Sequence, residues 1–387
     1  MEKLSTEETI NLIKSVFPLF PGDKRLGILV DVPRDPAQDQ ADWKQRRQIA
    51  EDWFKVFRDS AADIGLEEIT LIGYADVGSN NADLPGNGFY IRKQLPEAAG
   101  QLKDFGTETP FDTIFSDYQL FLAPTQYSAT APLKVAAKKF GFRAATMPGF
   151  SPAMIPALRI DYNEVARRVQ LLKERLDPAL WARVDFAVDG EKEYHMAFDL
   201  RFRKGHLSPG RFPEAGTAGN LPSGETYIVP YEGELAEKSR TEGTLPVQVN
   251  GDIALFTVKE NRAVSVTGID RDNVTPAIQA EIDHLKQEPA YGNMAELGFG
   301  VLGDFGLQPI NEILLDEKLG FHIAFGRSDH FDGAVGPGDF SSPQAVIHLD
   351  RIYIPATQPR VTVRSVVLGY ENDKTEEVIQ KGNYLIF

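Results

Sequence analysis

The chain changes its hydrophobic period once, near residue 184, and that change limits what it can fold into more than any other feature. Before it, short apolar runs alternate with helical patterns. The stretches from Leu26 to Val32, Ile69 to Gly73, Tyr118 to Ala123 and Phe142 to Thr146 are predicted as strands. Those from Trp43 to Asp63, Thr130 to Phe140 and Asn163 to Leu176 are predicted as helices, the last one ended by Asp177-Pro178. Strands joined through helices pair in parallel, and both faces of such a sheet are covered. After residue 184 the period drops to two. The stretch from Val247 to Val258 alternates around Asn250-Gly251, a hairpin turn, and one helix is predicted from Pro276 to Glu288. The expected architecture is an α/β N-terminal domain with a mainly parallel sheet over residues 1–183. It is followed by an α+β C-terminal domain, rich in antiparallel or mixed β, over residues 184–387. No internal repeat or low-complexity linker divides them.

A length of 387 residues suits two domains, and 42% hydrophobic residues against 25% charged leaves enough apolar material to build their cores. The formal net charge of −15 argues against nucleic acid or an anionic membrane as the main partner, since both need clustered Lys and Arg. The N-terminal sequence MEKLSTEETINLIKSVF reads as an acidic amphipathic helix and lacks the basic start and apolar core of a signal peptide. No run approaches the roughly 18 apolar residues of a membrane span. The expectation is a soluble, cytoplasmic protein. Cysteine is absent, which excludes disulfides, thiolate ligands and a Cys nucleophile. Any metal must be held by His, Asp and Glu, a donor set that suits Zn, Mn, Co or Fe(II).

Such residues gather in the second half. His348-Leu-Asp350 puts an imidazole and a carboxylate two residues apart, on the same face of a strand. His322 opens a second apolar strand bracketed by glycines, His322-Ile-Ala-Phe-Gly326. Two histidines and a carboxylate are the minimum set for a catalytic divalent ion. Glu225, after the turn residues Pro222-Ser-Gly224, and Glu296, before Leu-Gly-Phe-Gly300, would allow a second ion beside the first. Each residue alone is explained as well by a core histidine or an ion-paired glutamate. The joint case rests on three of the six histidines (322, 330 and 348) falling in one glycine-rich stretch.

Other patterns carry less. Gly298-Phe-Gly-Val-Leu-Gly303 satisfies G-x-G-x-x-G but has no following helix, and Asp304-Phe-Gly306 lacks every other kinase element. Neither a zincin H-E-x-x-H nor a G-x-S-x-G elbow is present. His195 and His284 read as structural or surface residues, while His206, in Lys204-Gly-His-Leu-Ser208, could face the site.

With these residues in view, Asn220-Leu-Pro-Ser-Gly-Glu-Thr-Tyr-Ile-Val-Pro230 resembles the N-L-P-x-G-E-x-x-x-x-P signature of the thermophilic aminopeptidase T family of metallopeptidases. Glu296-Leu-Gly, Asp316-Glu-Lys, His322-Ile-Ala-Phe-Gly326 and His348-Leu-Asp350 follow in that family's order, and Arg143-Ala-Ala-Thr-Met-Pro-Gly149 matches upstream. The resemblance covers roughly residues 110–355. It implies an N-terminal α/β domain, a C-terminal domain bearing two metals, and a homodimer that removes N-terminal residues from short peptides. It also implies Glu225, Glu296, His322, His348 and Asp350 as the five metal ligands. Under it, Glu225 is the expected bridge between ions, Glu296 or His330 the proton carrier, and Asp316 and Glu317 supports for a ligand histidine.

One departure stands out. The family carries a Tyr seven residues after the strand histidine, where this chain has Asp329 with His330 beside it. A Tyr can donate to a developing oxyanion, whereas Asp cannot unless protonated. His330 could take that role. A branch similar to this family is a non-haem iron dioxygenase that opens a dihydroxypyridine ring with a two-His, one-Asp site. His322, His348 and Asp350 would supply such a site, with one Fe(II) and no second metal. A metal-binding scaffold without catalysis is a third alternative, and the complete five-residue set argues against it.

Overall fold

The computed structural model describes residues 2–270 and 274–387, which divide into two compact units. One comprises Met1–Ala166 with Ser208–Ser223, the other Arg167–Leu207 with Gly224–Phe387.

The first unit is built on a seven-stranded mixed sheet. In spatial order its strands are Ala218–Asn220, Arg143–Thr146, Leu120–Ala123, Arg25–Val32, Glu68–Ala75, Asn87–Ile91 and Gly106–Pro110. The first five run parallel; four of them are those the strand–helix alternation predicts, and Ala218–Asn220, from the half read as antiparallel or mixed β, is an unpredicted parallel addition. The last two are an antiparallel extension outside that prediction. Their sequences are short and glycine-bearing, and the outermost, Gly-Thr-Glu-Thr-Pro110, is mostly exposed and ends in proline, as a protected sheet edge should. The central strand buries Ile28, Leu29 and Val30 almost completely, because helices cover both faces.

Those helices follow their local signals. Thr6–Val16 starts at a capping box in which Ser5 accepts from the Glu8 amide and Glu8 accepts from the Ser5 amide. The helix predicted from Trp43 to Asp63 forms as Ala41–Asp59 and is interrupted at Ser60. A last turn, Ala61–Ile64, closes at Gly65 with φ +98°, a left-handed position that favours glycine. Opposite, Phe115, Phe121 and Phe142 pack with ring centroids 4.8–5.6 Å apart.

The returning segment, residues 208–223, is tied in by a buried guanidinium. Arg143 is 1% exposed, pairs with Asp23, and donates at 2.8 Å to the carbonyls of both Pro18 and Phe212. Removing one side of a buried pair strands the other charge. Arg143→Ala should therefore lower stability by about 3 kcal/mol or more, read from urea unfolding monitored by circular dichroism. A loss below about 1 kcal/mol, the range of an exposed pair, would contradict this.

The second unit holds two sheets. An eight-stranded antiparallel sheet runs Arg262–Gly268, Asp252–Lys259, Glu242–Val249, Lys192–Asp199, Trp181–Val188, Val361–Gly369, Thr375–Gln380 and Asn383–Tyr384. Asn250 and Gly251 sit at φ +49° and +91°, the pair of positive values that a two-residue hairpin turn of the predicted kind requires. The predicted helix spans Pro276–Gln287, with the Thr275 hydroxyl accepting from the Ile278 amide. The other, five-stranded sheet carries the candidate site. Among the described residues no helix is long and apolar enough to cross a membrane.

Candidate metal centre

Five strands form the second sheet of the second unit: β1 (His206–Ser208), β2 (Glu225–Ile228), β3 (Met294–Gly300), β4 (Phe321–Gly326) and β5 (His348–Ile352). Their spatial order is β5-β4-β3-β2-β1. The register aligns Glu225 with Gly300, Gly298 with His322, Glu296 with Ala324 and Ala324 with Asp350. Because side chains alternate, one face presents Glu225 on β2, Glu296 on β3, His322 on β4, and His348 and Asp350 on β5. All five residues implied by the resemblance thus share a surface. A β-bulge between Met294 and Glu296 adjusts the register of β3 at the carboxylate.

Two positions of that face, Gly298 and Gly300, are kept small for a steric reason. A Cβ on Gly298 would lie 2.0 Å from Nε2 of His322, inside its imidazole. A Cβ on Gly300 would meet the Lys318 carbonyl carbon at 2.4 Å. Gly298 and Gly300 are therefore the room that His322 and Lys318 need. The apparent nucleotide motif over 298–303 is the end of β3 followed by a short 3-10 turn, Leu302–Phe305, so those glycines serve packing.

The donors are close; Glu225, Glu296 and His322 are buried, and His348 and Asp350 are half-buried. Glu296, 4% exposed, places Oε1 3.2 Å from Nε2 of His322, and Oε2 3.3 Å from Nε2 of His348. His348 Nε2 is 3.6 Å from Oδ1 of Asp350, and His322 Nε2 is 3.7 Å from Oε2 of Glu225. Among the described residues two groups have geometry fit for an ion: Glu225, Glu296 and His322, and Glu296, His348 and Asp350. The carboxylate common to both is Glu296, where the sequence reading placed Glu225.

The electrostatics follow from this crowding. Burial alone would disfavour the charged imidazoles, but Glu296 outweighs it and lifts His322 to about 9. Burial is likewise outweighed at His348, which Asp350 and Glu296 raise well above the ordinary histidine value. Burial pushes the Glu296 carboxyl up, and the bonds from His322 and His348 override it, leaving it well below the carboxylate range. Asp350 is lowered in the same way, chiefly by His348. The cluster is a concentration of carboxylates whose charge favours the protonated imidazoles.

Two observations of fit point to metal. Glu225 Oε2 and Asp350 Oδ1 are buried without a hydrogen-bond partner, one in each donor group. Buried carboxylate oxygens are normally satisfied. The imidazole Nε2 atoms that would bind face the carboxylates, while the opposite Nδ1 atoms meet backbone carbonyls, Gly320 O at 3.2 Å for His322 and Arg327 O at 2.7 Å for His348. Backbone carbonyls thus orient both rings. Asp316 does not share that task. It accepts from the Ile310 and Asn311 amides at 2.9 Å, pinning the preceding loop. Glu317 pairs instead with Lys318. Burial, with Asp350 and Glu225 nearby, raises Glu317 to about 8 despite that lysine.

The residues in place of the family Tyr lie beside this group. Asp329 accepts from Nε of Arg327 at 2.5 Å and belongs to neither donor group. The His330 ring lies 5.0 Å from that of His348, and burial together with the His348 charge pushes it down to about 4. Three residues escaped the sequence reading. Tyr227 shares the donor face, its ring 4.6 Å from Phe331 and 5.2 Å from His206; burial, with Glu296 and Glu225, raises its phenol. Phe331 continues this wall to His348 at 5.5 Å. Lys318, the third, places Nζ 2.5 Å from Oε1 of Glu225. Strand periodicity signals Tyr227, two residues after Glu225, while Lys318 lies in a turn with no period to mark it. His195 is exposed and His284 stacks on Tyr291 at 4.0 Å, structural placements both.

No family's sequence profile matches the chain, and neither does any curated protein. Solved structures do. A 2,5-dihydroxypyridine dioxygenase from Pseudomonas putida KT2440 superposes with a TM-score of 0.59 at 13% identity, over 99% of this chain and 98% of that one. Wild-type AmpT from Thermus thermophilus superposes with a TM-score of 0.54, also at 13% identity, over 98% of each. At this identity the likeness is one of fold.

The histidines give a pH signature. His322 is raised, so in metal-free protein its contribution to stability is whole below about 6.5, the unfolded value, and is lost as pH rises through about 9. An ion needs the neutral imidazole. Zinc uptake at neutral pH should therefore expel protons, and affinity should rise between neutral pH and about 9. Calorimetric titrations in two buffers of different ionisation heat read this directly. Equal heats in both would contradict it.

Proposed function

We propose that the chain is a metal-dependent hydrolase of the aminopeptidase type, removing N-terminal residues from short peptides with two divalent ions (Zn, Co or Mn). The observation that supports it is the pair of donor groups sharing Glu296. A carboxylate that offers one oxygen to each side is the arrangement a two-ion centre needs. The absence of a described membrane-crossing helix is compatible with a cytoplasmic enzyme, and a homodimer belongs to the same proposal.

When bound, the ions would supply an acidified water and a polarised substrate carbonyl. The remaining work belongs to the chain. Glu296, spanning between the two imidazoles, holds the halves of the site in register. His330 carries the proton towards the leaving amine, since its ring lies 5.0 Å from that of His348. Asp329 orients that loop through Arg327 in place of acting on substrate. Tyr227 and Phe331 form an aromatic wall against which an apolar residue of a peptide packs.

A second reading, from another reaction class, is a mononuclear Fe(II) dioxygenase that cleaves a hydroxylated, pyridine-type ring. That aromatic wall favours it, because a flat ring would stack there as well as an apolar side chain. The superposition on a 2,5-dihydroxypyridine dioxygenase adds the fold. In this reading His322, His348 and Asp350 hold the iron.

Glu296→Gln separates the two. In the hydrolase it should reduce release of N-terminal residues from di- and tripeptides by about a thousandfold or more, as for a group on which the whole centre depends. In the oxygenase, iron content and oxygen uptake on a dihydroxypyridine should persist. Undiminished peptide cleavage by the variant would end the two-ion reading.

A further inference from the structure

We propose that Lys318 makes the two ion positions unequal: its ammonium competes with a divalent ion for Glu225, so the position of Glu296, His348 and Asp350 fills first. The position of Glu225, Glu296 and His322 then fills second and more weakly. This rests on the two-ion reading and adds an order of loading to it.

The two positions share Glu296 and have one histidine each, yet their outer carboxylates differ. Glu225 has one oxygen taken, Oε1 lying 2.5 Å from Nζ of Lys318, while Oε2 has no hydrogen-bond partner. Asp350 faces no such rival. Its ion pair is with His348, itself a candidate ligand that would turn to the incoming ion. Lys318 is not a side chain that can swing into solvent. It is 2% exposed and also paired to Glu317, and its backbone lies under Gly300, where even a methyl group would collide. The ammonium is a fixed part of the site's charge.

An ion at the Glu225 position must therefore approach a buried like charge and share a carboxylate already engaged. Inside a low-dielectric pocket that repulsion is poorly screened. The ion at the Asp350 position meets neither cost. The competition is between two cations for one carboxylate and involves no transfer of a proton.

The test is a calorimetric titration of chelator-stripped protein with Zn(II), with bound zinc counted by elemental analysis. Wild type should show two unequal classes of site. Lys318→Met should tighten the weaker class by about tenfold or more, within the range of ordinary coupling between sites. Glu225→Gln should abolish the weaker class and leave the tight one, and it keeps an acceptor for Lys318 should the methionine variant fail to fold. Two equal classes in wild type would overturn the inference. So would a weaker class unchanged in a folded Lys318→Met protein, or a Glu225→Gln protein that loses both classes together. No zinc uptake by wild type would instead remove the two-ion reading itself.

Discussion

Everything at the centre of this protein depends on one buried carboxylate held between two imidazoles. Glu296 has almost no contact with water, and its two oxygens face Nε2 of His322 and Nε2 of His348. Placing a charged carboxylate in a protein interior is costly unless it is paired. Here its partners are themselves surrounded by Glu225 and Asp350, so the negative charge exceeds what the histidines neutralise. Beyond the buried ammonium of Lys318, the carboxylates call for positive charge on or beside the imidazoles. Protons on the imidazoles meet that demand in one state, and divalent ions would meet it in another. This is why perturbed groups cluster here, and why, among the described residues, the unpartnered buried carboxylate oxygens belong to two candidate ligands.

The fold serves that arrangement through small residues as much as through ligands. An antiparallel sheet brings four strands of distant sequence to one face, and the period of two decides which side chains reach it. Glycine at 298 and 300 leaves that face open where an imidazole and a buried lysine must fit. The same glycines mimic a nucleotide motif in the sequence, and their role appears only when the register shows what stands opposite them.

Much of this was legible in the sequence. The change of period near residue 184 separates strand–helix alternation from antiparallel β, and the Asn250-Gly251 turn forms with the backbone it implies. His348 and Asp350 share a face because they stand two positions apart, Glu225 and Glu296 stood beside them as donors for a second ion, and a resemblance in motif order joined the set. Other features depended on tertiary contacts that leave no local signal. The antiparallel pair Asn87–Ile91 and Gly106–Pro110 is too short to show a strand pattern, and the second of them is polar as well. Ser208–Ser223 belongs to the first unit through the pairing of Ala218–Asn220 with Arg143–Thr146 and through Arg143, which donates to the Phe212 carbonyl far away in sequence. The sharing of Glu296, in place of Glu225, follows from the cross-strand register. Lys318 comes from a turn, and its engagement with Glu225 is a matter of three-dimensional approach.

The central claim is that this carboxylate–imidazole face is a metal centre. Elemental analysis of protein purified without added metal, repeated after reconstitution with zinc, tests it most directly. The account predicts at least about one divalent ion per chain as purified, approaching two, one for each donor group, after reconstitution. Protein that arrives metal-free and takes up none would contradict it.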